Sequence, residues 1–270
     1  MTDQTTSGRG PDEAFDAYRP QRIAERIEDA GVAKANLGLL EMLTLAVLAG
    51  AFISFGAVFY TVAVTDSALG FGMTRVIGGL VFSLGLILVV IAGAELFTGN
   101  NLIVMAWADG RIEAGRMLRN WAIVYAGNFI GAVASAFFIH WSGVLGMHDG
   151  AVAETARTIA AAKIALAPDQ AFVRGMLCNA LVCLAIWLSF AAHRVSGKIL
   201  AIIFPITAFV ALGFEHSIAN MYFLPVAMLQ GADVTVADLF ANLVPVTLGN
   251  IVGGAGLVGL VYWIVYSRNR

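Results

Sequence analysis

The chain has 270 residues, of which 59% are hydrophobic and only 13% charged, and its mean hydropathy is +0.82. Soluble domains carry about 25% charged residues, so there is too little charge to dress a water-facing surface, and a soluble two-domain protein is excluded. The net charge of −2 comes without a long run of one sign, which removes the footprint of a nucleic-acid binder.

Residues 1–36 are polar and mixed in charge. They lack the short apolar core of a signal peptide, and the first apolar run, 37–64, is too long to be one, so it is expected to remain as a membrane span. Within the tail, Ile23, Ile27 and Ala30 recur at helical spacing among Arg22, Glu25, Arg26, Glu28 and Asp29. That pattern predicts a short amphipathic helix on the cytoplasmic face; the favoured reading is a solvated surface helix, and a lid or gate on the bundle is the alternative.

Six apolar segments follow, at about 37–64, 76–107, 120–141, 172–192, 199–229 and 239–266. Each exceeds the roughly 20 residues that cross a bilayer core, and only helices or closed barrels satisfy their own backbone there. The ten-residue alternation of a barrel strand is missing, so the expected fold class is all-α, a bundle of six transmembrane helices. Between the third and fourth segments, the Ala-rich stretch 151–167 predicts a helix covering the bundle. Cys178 and Cys183 lie five apart in one apolar run and read as buried hydrophobes, with neither a disulfide framework nor a metal site expected.

The basic residues set the orientation. Arg9, Arg19, Arg22, Arg26, Lys34, Arg111, Arg116, Arg119, Arg194, Lys198, Arg268 and Arg270 fall on one side, 12 against the 4 of Arg75, Arg157, Lys163 and Arg174 on the other. Both termini are therefore expected in the cytoplasm.

The two halves of the chain resemble each other. Residues 93–100 read GAELFTGN and residues 213–220 read GFEHSIAN, matching Gly93, Glu95 and Asn100 with Gly213, Glu215 and Asn220. Farther on, Asn120, Gly127, Asn128 and Gly131 match Asn242, Gly249, Asn250 and Gly253 at identical spacing. Three spans per half is an odd number, so the second half enters from the opposite side, an inverted repeat.

Spans two and five are also too long, since 76–107 and 199–229 would each exceed about 45 Å as continuous helix. Both carry the repeated motif, so breaks are expected around 94–99 and 214–219, with a substrate path between them near the midplane. Glu95 and Glu215 are the only acids deep in apolar sequence; the favoured reading is that they brace the unwound backbone. Asn128 and Asn250 either bond across helices or face a pore, and both readings stand. The GxxxG pairs allow close helix approach.

AELFTGN at 94–100, NALVCLAIW at 179–187, GFEHSIANM at 213–221 and NLVPVTLGNIVGG at 242–254 resemble signatures of the formate/nitrite transporter family. The resemblance spans about 37–266. It implies an aquaporin-like fold with spans two and five broken, a homopentamer with a pore in each protomer, and a bacterial cytoplasmic (inner) membrane location. It implies a cytoplasmic N-terminal segment at 1–36, a channel domain at 37–266 with halves about 37–141 and 172–266, and a cytoplasmic tail at 267–270. By motif position, Phe82, Leu86, Phe97 and Phe209 match apolar constrictions, and Thr98 lies in the first break. His216 matches the histidine at the pore centre, Asn179 and Asn250 match pore-lining asparagines, and Lys163 matches a lysine at the periplasmic mouth. Asn100 and Asn220 brace with Glu95 and Glu215.

The implied function is bidirectional, proton-linked passage of a small monovalent anion, formate first, with nitrite, hydrosulfide or a short monocarboxylate as alternatives. A bare anion is costly in an apolar slit, so it is expected to cross as the neutral acid. His216 is the only histidine deep in a span and either donates the proton or hydrogen-bonds while bulk water supplies it. A water or glycerol channel is the less favoured reading, because the paired Asn-Pro-Ala motif is missing. An enzyme is not expected: His140, His148 and His193 lie at span ends or in loops, leaving His216 without a haem-ligand partner. Cofactors and metals are not expected; the partners are small anions, protons, membrane lipid and further copies of the chain.

Overall fold

The structure is a computed structural model that describes residues 17–268. Residues 1–16 with Arg9, and residues 269–270 with Arg270, lie outside the described residues, so that part of the tails and of the charge count is not addressed by it. Among the described residues all named elements are helical.

Among the described residues six helical spans are long and apolar enough to cross a membrane: Leu39–Val64, Gly70–Ala92, Ala114–Trp141, Pro168–Ala191, Val195–Leu212 and Val236–Tyr266. In chain order the helices are α1 (Pro20–Ala35), α2 (Leu39–Val64), α3 (Gly70–Phe82), α4 (Leu84–Ala92), α5 (Phe97–Asn100), α6 (Val104–Ala108) and α7 (Ala114–Trp141). The second half adds α8 (Ala151–Ile164), α9 (Pro168–Ala191), α10 (Val195–Leu212), α11 (Ser217–Leu229), α12 (Val236–Ile251) and α13 (Val261–Tyr266). A π-helical stretch, Val252–Leu260, joins the last two. The chain is a multi-pass membrane protein, with large side chains such as Phe71, Leu40 and Phe204 exposed around the bundle where lipid or another protein surface covers them.

Small residues decide how the bundle packs. A Cβ on Gly131 would collide with the carbonyl of Val47 on α2, and one on Gly253 with the carbonyl of Met176 on α9. Backbone thus lies directly on backbone where the two GxxxG pairs fall, α7 against α2 in one half and α12 with its π extension against α9 in the other.

Two contacts join equivalent residues of the halves to each other. Ser83 Oγ donates to the Ile203 carbonyl at 3.4 Å across 120 positions, and the Tyr125 and Thr247 hydroxyls meet at 2.8 Å across 122 positions. Residues that meet their own counterparts lie on the two-fold relating the halves. The π-helical stretch breaks that symmetry, because the matching part of α7 is ordinary α-helix.

Helix α1 is not a free surface helix. Pro20 starts it at a position where no helix N–H bond is lost. Its apolar stripe, Ile23, Ala24 and Ile27, is buried in a cluster with Leu102, Ile103, Val104, Met105 and Ala106. Buried Glu28 on the same face bonds Ser267 and lies 3.8 Å from Arg111. The membrane side bearing α1 is called the N-side below, and the opposite one, bearing α8, the far side.

Candidate functional site

Helix α4 stops at Ala92 and α5 starts at Phe97; α10 stops at Leu212 and α11 starts at Ser217. Each gap opens on a glycine with positive φ, Gly93 at 81° and Gly213 at 73°, a conformation that a Cβ disfavours. Between these helices the backbone needs partners from elsewhere, since unpaired polar groups at membrane depth cost several kcal/mol each.

Those partners come in matched sets. The Glu95 N–H donates to the Leu45 carbonyl and the Glu215 N–H to the Arg174 carbonyl, both at 3.2 Å. Asn128 Oδ1 accepts the Phe97 N–H at 2.9 Å, while its Nδ2 donates to the carbonyls of Ala46 at 2.7 Å and Glu95 at 2.9 Å. Asn250 repeats this with the Ser217 N–H at 3.0 Å, the Gly175 carbonyl at 2.8 Å and the Glu215 carbonyl at 3.0 Å. Both asparagines are fully buried, and their amides spend their bonds across helices.

The carboxylates are held the same way. Lys34 Nζ lies 2.5 Å from Glu95 Oε1, Asn100 Nδ2 donates to Glu95 Oε2 at 2.7 Å and to Asn120 Oδ1 at 2.9 Å, and Asn120 Nδ2 returns to the Lys34 carbonyl at 3.1 Å. On the far side, Lys163 Nζ lies 3.1 Å from both Glu215 oxygens. Asn220 Nδ2 donates to Glu215 at 2.7 Å and to Asn242 Oδ1 at 2.8 Å, and Asn242 Nδ2 returns to the Lys163 carbonyl at 3.1 Å. Each quartet of Lys, Glu and two Asn closes on itself, neutralising a buried carboxylate with a lysine from the helix that covers that side, α1 or α8.

Among the described residues, three cavities link one quartet to the other through shared lining side chains. One of about 360 Å³ opens beneath α1 and includes Ile27, Lys34, Leu45, Glu95, Leu96 and Phe190. One of about 290 Å³ opens beneath α8 and includes Arg75, Phe82, Lys163, Arg174, Phe209 and His216. Between them is a void of only about 10 Å³ walled by Phe82, Leu86, Leu96, Val182, Phe209 and His216, with Ile53 and Ile206, about the least that holds one water. Leu96 borders both the N-side cavity and the void; Phe82, Phe209 and His216 border both the void and the far-side cavity. The Phe82 and Phe209 rings meet edge to face at 5.7 Å, and Phe209 stacks on His216 at 5.9 Å.

His216 caps α11: its Nδ1 accepts the Ala219 N–H at 3.1 Å. In the neutral ring the proton therefore resides on Nε2, 2.9 Å from Thr98 Oγ1. The Thr98 carbonyl in turn accepts from Asn179 Nδ2 at 3.2 Å and the Cys183 thiol at 3.4 Å. Asn179 also donates to Asn101 Oδ1 at 2.8 Å and the Asn250 carbonyl at 2.7 Å. It lies behind Thr98, tying the two breaks together.

The breaks thus bring together Thr98, His216, Phe82, Leu86, Phe209 and, at the far mouth, Lys163. Phe97 is turned elsewhere, its ring 4.9 Å from Tyr125 and 6.3 Å from Trp121. Its neighbour Leu96 lines the N-side cavity and the void instead, and a leucine in an apolar span offers no signal to find it by. Lys34 is a partner of Glu95 that spacing along the chain does not reveal, though the chain has only three lysines and two of them hold Glu95 and Glu215.

The formate/nitrite transporter family matches residues 21–264. The formate channel FocA of Escherichia coli (strain K12) is 39% identical over 279 residues, covering 96% of this chain and 98% of its own. A probable formate transporter of Methanothermobacter thermautotrophicus is 43% identical, covering 87% and 91%. Among solved structures, a pentameric formate channel with formate bound superposes with a TM-score of 0.79 at 40% identity, covering 84% of this chain and 97% of that one. An FNT family ion channel reaches 0.83 at 30% identity, covering 90% and 98%.

Proposed function

The chain belongs to the formate/nitrite transporter family, and from that premise we propose that it is a channel for small monovalent anions, formate first, carried across as the neutral acid. The observation that carries this reading is the void of about 10 Å³ between Leu96 and the Phe82–Phe209 pair, with His216 and Thr98 joined at its edge. Relatives named for formate, one solved with formate bound, support the choice of substrate.

Magnitudes decide the form in which the substrate crosses. Low figures for charge in a membrane rest on snorkelling and water defects, which so small a void does not admit; without them a bare charge costs more than about 10 kcal/mol. Protonating a carboxylate of pKa about 4 at pH 7 spans about three pH units, or roughly 4 kcal/mol. The neutral acid is the cheaper passenger.

The proton comes from vestibule water. A neutral His216 that lost its Nε2 proton would become an imidazolate, and a second proton on Nδ1 would displace the Ala219 cap. The ring and Thr98 therefore act as a hydrogen-bonding station where the neutral acid passes the constriction, not as the acid that makes it. Phe82, Leu86, Leu96 and Phe209 keep water out, and Phe97 holds the first break from behind through Tyr125 and Trp121. Lys34 and Lys163 mark the two mouths. Glu95, Glu215, Asn100, Asn220, Asn128, Asn179 and Asn250 hold the breaks open.

In this reading the protein lies in the bacterial inner membrane as a homopentamer with a pore in each protomer. Both termini are cytoplasmic, with 1–36 the N-terminal segment whose helix α1 lies over the cytoplasmic vestibule, 37–266 the channel and 267–270 a short tail. Purified protein in liposomes tests it. Formate flux is expected to fall about tenfold per pH unit above neutrality, in step with the neutral fraction, and His216→Ala is expected to reduce it. No flux of formate or nitrite, or flux indifferent to pH and to His216→Ala, overturns the reading.

A further inference from the structure

The bracing of the two breaks is symmetric, but the charge lining the two cavities is not. Among the described residues, the N-side cavity carries Lys34 and Glu95 and no other formal charge. On the same basis the far-side cavity carries Arg75, Lys163 and Arg174 against Glu215, three cations to one carboxylate among the described residues. At the position where Arg174 accepts the Glu215 N–H, the other half has Leu45 accepting from Glu95. The far-side guanidinium thus stands where the symmetry puts an aliphatic side chain.

Neither arginine is engaged by a carboxylate among the described residues. Arg75 donates to the Ala211 carbonyl at 2.9 Å and the Val210 carbonyl at 2.8 Å, and reaches the Tyr60 hydroxyl at 3.5 Å. Arg174 has one long bond, 3.4 Å to the Gly213 carbonyl. Both side chains gather at Gly213, where a Cβ would lie 3.0 Å from Arg75 and 3.9 Å from Arg174. A guanidinium has five N–H donors, so most of Arg174's are left for the cavity. Lys163, by contrast, is spent on Glu215.

We propose that Arg75 and Arg174 form an anion-collecting subsite in the far-side vestibule, separate from the Lys163–Glu215 pair, that holds a small carboxylate or oxyanion ahead of the constriction. The inference rests on the channel reading above and adds a direction to it. Arg75 also satisfies the carbonyl end of α10, while Arg174 contributes mainly charge. The subsite fills at lower concentration than the N-side vestibule, so half-saturation is lower for flux starting from the far side. Detailed balance makes the low-concentration flux equal in both directions at equal pH and zero potential, so the asymmetry shows in half-saturation and not in net accumulation.

Arg174→Leu and Arg174→Lys in the full-length chain test this, with radiolabelled formate in right-side-out and inside-out vesicles at equal pH. One unit charge a few ångströms from the bound anion in a water-like dielectric is worth about threefold in occupancy. Arg174→Leu is expected to raise the far-side half-saturation about threefold and leave the N-side value unchanged, the latter serving as the check on folding. Arg174→Lys is expected to restore it, and salt near 1 M to erase the difference between wild type and Arg174→Leu. Equal far-side values in wild type and Arg174→Leu, or a rise that persists in Arg174→Lys or at high salt, overturn the subsite and leave the channel reading intact. Absence of wild-type formate flux overturns both.

Discussion

Replacing Asn250 with leucine keeps the side-chain volume nearly constant and removes every polar bond that the amide makes. Three are lost: from the Ser217 N–H at 3.0 Å, to the Glu215 carbonyl at 3.0 Å and to the Gly175 carbonyl at 2.8 Å. Gly175 lies inside α9 and keeps its helical bond, whereas the Ser217 N–H and the Glu215 carbonyl belong to the second break. Leaving two buried backbone groups unpaired costs about 1–3 kcal/mol each, so roughly 2–6 kcal/mol in all. Asn128 makes the same three bonds at the first break, so Asn128→Leu is expected to cost the same within about 1 kcal/mol. Thermal unfolding of the detergent-solubilised protein measures both, and at about 2–4 °C per kcal/mol each midpoint is expected to drop by at least about 4 °C. Formate flux in liposomes is expected to fall with either substitution. Unchanged midpoints with wild-type flux would refute the claim that these amides hold the breaks.

Further substitutions follow from the packing and the quartets. Gly131→Leu and Gly253→Leu place carbon against the carbonyls of Val47 and Met176, and each is expected to abolish folded protein in size-exclusion profiles, whereas Gly115, with open space around it, is expected to accept alanine. Lys163→Met leaves Glu215, which is 4% exposed, without its cation and is expected to destabilise by about 3–5 kcal/mol; adding Glu215→Gln is expected to recover most of that loss in the same unfolding assay.

How much of this was legible in the sequence depended on whether a residue had to be polar in an apolar place. Glu95, Glu215, Asn128 and Asn250 stand out because hydrocarbon tolerates them only with partners, and their matched spacing pointed to the repeat. Which partners they take was not legible: the choice between pore-facing and cross-helix amides turned on the carbonyls of Ala46 and Gly175, which composition does not mark. In the sequence Lys34 is one basic residue of a mixed-charge tail, and nothing local distinguishes a lysine that reaches Glu95 from one that points to water. Phe97 and Leu96 are both apolar in an apolar run, so which of them faces the path is settled by backbone direction after Gly93. In the sequence Arg174 is one of four basic residues on the sparse side; that it lines the far-side cavity where the other half has Leu45 follows from the matching bonds their carbonyls accept from the Glu215 and Glu95 N–H groups.

The central claim, that formate crosses as the neutral acid, is tested most directly by measuring formate flux and luminal pH together in liposomes clamped at several membrane potentials. The account predicts one proton moving with each formate and a flux that does not change with potential. Formate flux that carries current and leaves the luminal pH unchanged would contradict it.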